Sequence, residues 1–119
     1  MEELLIDPNL VVQHLEKGDG LLSQIWEHYK LFTPTTSLTE LLASGKADKA
    51  KVQELIKDKV TLVDINSEIA ERAAIILTEL EISLADALIA ATAIVKDIPL
   101  VTYDLPTFDL IPDLKLVDI

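Results

Sequence analysis

Acidic residues at the ends of β-like runs and the starts of helical ones are the groups in this sequence best placed to do chemistry. Asp7 closes "ELLID", Glu40 ends "SLTE", Asp86 ends the matching "SLAD", and Asp104 closes "PLVTYD". Asp64, in "KVTLVDI", is a fifth by position alone. Carboxylate oxygens gathered in one place bind hard divalent cations such as Mg²⁺ or Mn²⁺, which bring phosphates with them. A cation held this way can generate hydroxide, orient a phosphodiester and stabilise its leaving oxygen. That chemistry needs no histidine, cysteine or serine nucleophile. The chain has no cysteine, and its two histidines, His14 and His28, fall inside helical patterns as structural residues. It has no glycine-rich phosphate loop and no spacing suited to zinc.

Each carboxylate also has a plain structural reading. "SLTE" (37–40) and "SLAD" (83–86) both have the form of a capping box, a serine capping the helix and an acid three places on reaching back. Acids suit the positive end of a helix dipole. Asp7 before Pro8 and Asp104 in "YDLP" fit ordinary turns, and Asp64 leads into a cap. Taken together the set is harder to explain this way. Two unit charges about 4 Å apart repel by roughly 4 kcal/mol at an effective dielectric near 20. Several carboxylates around one cleft call for a counter-ion.

Whether they share a cleft depends on the elements that carry them. Strand-like runs fall at residues 3–7, 30–36, 59–65 and 99–104, with 114–119 as a candidate fifth. Helical spacing covers "NLVVQHLEK" and "GLLSQIWEHY", broken apart at Gly18-Asp19-Gly20. It returns in "SLTELLAS", which stops near Gly45, in "KADKAKVQELIKD", over residues 67–80, and in "ISLADALIAATAIV" at 82–95. Strands separated by helices of this length need crossover connections, which make a parallel sheet with helices on both faces. The expected class is α/β. Ligands of such sheets collect beyond the carboxyl ends of the strands, where the strand order reverses. Asp7 and Asp104 are expected at those ends, with Glu40 and Asp86 opening the helices beside them.

The 119 residues amount to one domain, expected to span 1–119. Half the chain is hydrophobic, with a mean hydropathy of +0.33. Even so, its longest apolar run, "ALIAATAIV" (87–95), is far short of the about 20 residues that cross a membrane. The start "MEELLID" lacks the basic region of a secretory signal. With no cysteine in addition, the expectation is a cytoplasmic protein with no membrane partner. The net charge of −11 argues against general nucleic-acid binding through a basic face. Arg72 is the single arginine, and five lysines fall between Lys46 and Lys59.

In this arrangement the chain resembles the PIN-domain ribonucleases, particularly the small VapC-type toxins of prokaryotic toxin–antitoxin pairs. "LLIDPNLVV" is similar to the family's opening strand, which ends in an aspartate with a small polar residue two places on, here Asn9. "TPTTSLTELLASG" resembles the second motif and supplies Glu40, while "LADALIAATAI" is the most specific match and carries Asp86. "PLVTYDLPTFDLIPDLKLV" resembles the closing segment, with Thr102 and Asp104 at site positions. The resemblance implies a three-layer α/β/α sandwich with a mainly parallel sheet of four to five strands. It further implies an Mg²⁺- or Mn²⁺-dependent endoribonuclease whose catalytic and metal-binding residues are Asp7, Glu40, Asp86 and Asp104. Asn9 and Thr102 would orient those groups by hydrogen bonding. The family implies RNA as substrate, a homodimer, and an antitoxin that lays a peptide over the acidic cleft. Three positions depart from the pattern: Pro8 after the first aspartate, Thr107 where relatives often carry an acid beside Phe108 (Asp109 lies on the other side), and the lone arginine.

Two further readings stand beside the nuclease. One is a non-catalytic PIN-like module for dimerisation or partner binding, with a weak metal site. The other is a phosphoryl-acceptor domain using Asp7 or Asp64. The carboxylate set separates the first from the nuclease, and treatment with a small phosphodonor tests the second.

Overall fold

Alternation along four short strands decides the layers. In β1 (Glu3–Ile6), Leu4 and Ile6 point to one face of the sheet and Leu5 to the other. β2 (Lys30–Pro34) repeats this with Leu31 and Phe32, and β4 (Leu100–Val101) with Leu100 and Val101. Both faces are therefore apolar, as a parallel sheet covered on two sides requires. The computed structural model describes residues 1–18 and 20–117.

The sheet order is β3-β2-β1-β4, every pairing parallel, with β3 at Val60–Val63. From β1 the chain steps to β2 and then β3 in one direction. These crossovers carry α1 (Pro8–Lys17), α2 (Leu21–Ile25), α3 (Thr35–Ala43) and α4 (Lys49–Lys59). The next crossover, through α5 (Ser67–Glu79) and α6 (Leu84–Lys96), returns past β1 to β4. Crossovers share one hand, so reversing their direction puts the second group of helices on the other face. The two cores agree: Leu10, Val11, Leu22, Leu41, Val52 and Ile56 pack on one side. Ile69, Ala73, Ile76 and, from α6, Ala87, Ala90, Ala91 and Ala93 pack on the other. Each fully buried Leu or Ile adds about 1.5–3 kcal/mol. The result is the expected three-layer α/β/α sandwich, with its switch point between β1 and β4.

Several boundaries differ from the expectation, each for a local reason. β4 covers two residues rather than 99–104. The Thr102 hydroxyl takes the backbone N–H of Asp104 at 2.9 Å, so the ladder stops and the chain turns into α7 (Leu105–Phe108). The candidate fifth strand reduces to a single parallel bridge, Leu100 to Leu116, and its last two residues lie outside the described ones. α2 is one short turn and a half, because the chain must unwind after Ile25 to enter β2 at Lys30.

The largest correction concerns "SLTE". α3 begins at Thr35, capped by Pro34 with no side-chain cap, so Ser37 is inside the helix and Glu40 lies in its second turn rather than its first. Ser37 is 1% exposed and its hydroxyl has no hydrogen-bond partner among the described residues. By contrast "SLAD" caps as expected, the Ser83 hydroxyl accepting the Asp86 N–H at 3.0 Å. A Ser37→Ala variant should thus be neutral or more stable in urea unfolding. Loss of a true helix cap would instead cost about 1 kcal/mol.

Candidate active site

The strand register positions the first carboxylate. Leu5 pairs with Leu100 and Ile6 with Val101, and one step further Asp7 meets Thr102. The Asp7 N–H donates to the Val101 carbonyl at 3.0 Å, and the Thr102 hydroxyl donates to Asp7 Oδ2 at 2.6 Å. Asp7 also caps α1, its Oδ1 accepting the Asn9 backbone N–H at 3.2 Å. Pro8 suits this arrangement. Proline belongs at the first position of a helix and keeps the preceding residue extended, as Asp7 is at φ −71°, ψ 138°.

Asp7 is 3% exposed, and it lies at the switch point where open α/β sheets bind ligands. Burial pushes its pKa up, and the charges of Asp86 and Asp104 push the same way, while the bonds from Thr102 and Asn9 oppose them. Asp104 caps α7 from the loop beyond β4, its Oδ2 accepting the Thr107 hydroxyl at 2.7 Å. Asp86 stands in the first turn of α6. Burial raises its pKa, Ser83 lowers it and Asp104 raises it. Glu40 reaches the group because α3 packs against α6. Its pKa rises through partial burial and then the charges of Asp86 and Asp7.

The four expected carboxylates are therefore one electrostatic group. Among the described residues the ion pairs are Arg72–Asp113 and Lys115–Asp97, so no basic side chain neutralises the four. Asp64 and Asp109 are exposed and contribute to none of these shifts. Among the described residues no three acidic or histidine side chains close tightly enough to chelate an ion unaided. An all-oxygen set of this kind suits Mg²⁺ or Mn²⁺, which Mg²⁺ especially binds through one or two carboxylates with retained water and substrate phosphate.

Two details were not legible in the sequence, while the histidines behave as expected. Asn9 contributes its backbone, while its side chain is exposed without a hydrogen bond among the described residues. Thr107, a departure from the family pattern, bonds Asp104 directly; an acceptor three residues before a threonine in "DLPT" was the available signal. The histidines stay outside the site: His14 stacks edge-on to Trp26 at 4.9 Å and His28 is exposed.

Fold and site together describe an α/β domain with a carboxylate cluster at its sheet switch point. The PIN-domain family profile matches residues 4–111, and the chain belongs to that family. Its structure is similar to VapBC2 of Rickettsia felis bound to a promoter DNA fragment, with TM-score 0.82, 23% identity and 98% of each chain covered. It is likewise similar to DNA-bound VapBC of Salmonella typhimurium, with TM-score 0.84 and 17% identity over 99% of this chain and 98% of that one. VapC20 of Mycobacterium tuberculosis, a toxin that cleaves the sarcin–ricin loop, matches with TM-score 0.61 and 20% identity over 80% of this chain and 84% of that one. No curated relative matches the chain in sequence. No described helix is long and apolar enough to cross a membrane.

Raised carboxylate pKa values predict a pH effect. A carboxylate shifted upward holds its proton in the native state after the unfolded chain has lost it. Stability therefore falls as pH rises from the ordinary value through the raised one, and stays lower above it. Glu40→Gln removes this penalty. In EDTA near neutral pH the variant should melt above wild type by about 1–3 °C, because solvent screening keeps the effect under about 1 kcal/mol. Below the ordinary Glu40 pKa of 4.5 the difference should vanish. A variant that melts lower at neutral pH would show that Glu40 is not strained by its neighbours.

Proposed function

We propose that this PIN domain is a metal-dependent endoribonuclease, the toxin of a toxin–antitoxin pair. The observation that carries this reading is the group of four neighbouring carboxylates, with Asp7 buried at the switch point and, among the described residues, no ion pair to any of the four. Asp7, Glu40, Asp86 and Asp104 would hold Mg²⁺ or Mn²⁺. Bound there, the ion would acidify water and neutralise charge on an RNA phosphodiester.

The chain's own residues do the positioning. Thr102 fixes the Asp7 carboxylate with its hydroxyl proton and, through the same oxygen, holds the Asp104 backbone. Thr107 orients Asp104. The N-terminus of α6 favours the ionised form of Asp86 against the burial that opposes it. These bonds preorganise two acids, Asp7 and Asp104, on segments far apart in sequence.

Family membership and the VapBC likenesses support a homodimer and an antitoxin partner, whose basic segment would complement the chain's −11 charge. They leave the phosphoryl-acceptor reading without a basis. The alternative of a non-catalytic partner-binding module makes a different prediction. For the nuclease, Asp86→Asn and Asp7→Asn should each lower Mn²⁺-dependent cleavage of single-stranded RNA by at least about 10²-fold, as loss of a preorganised electrostatic group does. Both variants should remain folded by circular dichroism. Cleavage that persists in both variants, or resists EDTA, would contradict the nuclease.

A further inference from the structure

A cluster of acids repels the backbone it is meant to cut. An ion among them offsets that repulsion at the scissile phosphate, but the neighbouring phosphates still need a positive contact. One groove adjoining the carboxylates supplies it. Pro8, Asn9, Val12, Glu40, Leu41, Ser44 and Lys46 line a groove of about 100 Å³. It thus runs from the residues that follow Asp7 to Glu40, and among the described residues Lys46 is the only basic one in its lining.

The turn that brings Lys46 there is built for the purpose. Gly45 follows α3 with φ +70°, a conformation that favours glycine. The Ser44 hydroxyl accepts the Lys46 N–H at 3.2 Å and donates to the Leu41 carbonyl at 3.3 Å. Among the described residues the lysine head has no ion-pair partner. Although Glu40 lines the same groove, the ion pairs among the described residues are Arg72–Asp113 and Lys115–Asp97. Lys30 and Lys59 lie over the rings of Phe32 and Trp26. The exposed Asn9 side chain offers a donor and an acceptor in the same groove.

We propose that Lys46 is the anion-binding edge of the active site, holding a backbone phosphate of single-stranded RNA beside the phosphodiester that the carboxylates act on. This rests on the nuclease reading above. Each phosphate contact to a single strand adds about 0.7 to the slope of log affinity against log salt. The test is fluorescence anisotropy of a labelled single-stranded RNA 12-mer in Ca²⁺, across a salt series. Wild type is compared with Lys46→Gln, Lys46→Arg and Lys96→Gln, the last at the far end of α6 from Asp86. Lys46→Gln should bind several-fold more weakly with a slope lower by about 0.7. Lys46→Arg should retain the slope, and Lys96→Gln should match wild type. Wild-type binding that Lys46→Gln leaves unchanged, or that both glutamine variants weaken equally, overturns the role of Lys46 alone. Absence of binding by wild type overturns the nuclease reading and this inference together.

Discussion

The Asp7 carboxylate, buried between the ends of two parallel strands, is the constraint on which the rest of the site depends. Burying an ionised group away from water is expensive unless other groups compensate. Here the compensation comes from the same contacts that make the fold. The β1–β4 register delivers Thr102 to one oxygen, and the first turn of α1 delivers a backbone N–H to the other. Those two bonds do not cancel the burial and the charges of Asp86 and Asp104, so the pKa remains raised. A native state with this residual strain is stabilised by whatever brings positive charge to it.

Helix starts do the remaining construction. Asp7 caps α1, Asp104 caps α7, and Asp86 lies in the first turn of α6 under the Ser83 cap. The choice between capping and chemistry is therefore not a choice for these three. Capping orients the carboxylates of Asp7 and Asp104, and the helix dipole favours the ionised form of an acid in the first turn, as Asp86 is, which is also what a cation ligand needs. Glu40 is the exception. It stands inside α3, and its side chain caps nothing and makes no hydrogen bond among the described residues, so the placing of its carboxylate toward Asp7 and Asp86 has no local structural explanation.

Strand and helix alternation made the α/β class legible, because period-two and period-3.6 patterns report burial directly. The end of β1 at Asp7 and the Ser83 cap were legible for the same local reasons. Other features were decided by competing local signals or by contacts between elements. "SLTE" matches a capping box, but Pro34 already ends the strand and starts the helix three residues earlier, placing Ser37 in the core. In "PLVTYD" the β-prone run hides a local turn, in which the Thr102 hydroxyl takes the Asp104 N–H two residues on and β4 ends after two residues. Nothing in its lysine-rich stretch distinguishes Lys46, because its distinction is the groove it lines, and that groove is made by α1, α3 and the turn after α3 together.

The central claim is that these carboxylates form a cation site, and thermal unfolding tests it without knowing the RNA target. Wild type and Asp86→Asn are melted in EDTA and across a Mn²⁺ titration. A ligand that binds only the native state adds about 2.7 kcal/mol at a hundredfold excess over its Kd, a shift of about 10 °C for a domain of this size. The account predicts that rise in wild type and its loss in Asp86→Asn. A wild type unmoved by Mn²⁺, or a variant that rises equally, would contradict it and leave the acids as helix caps and surface charge.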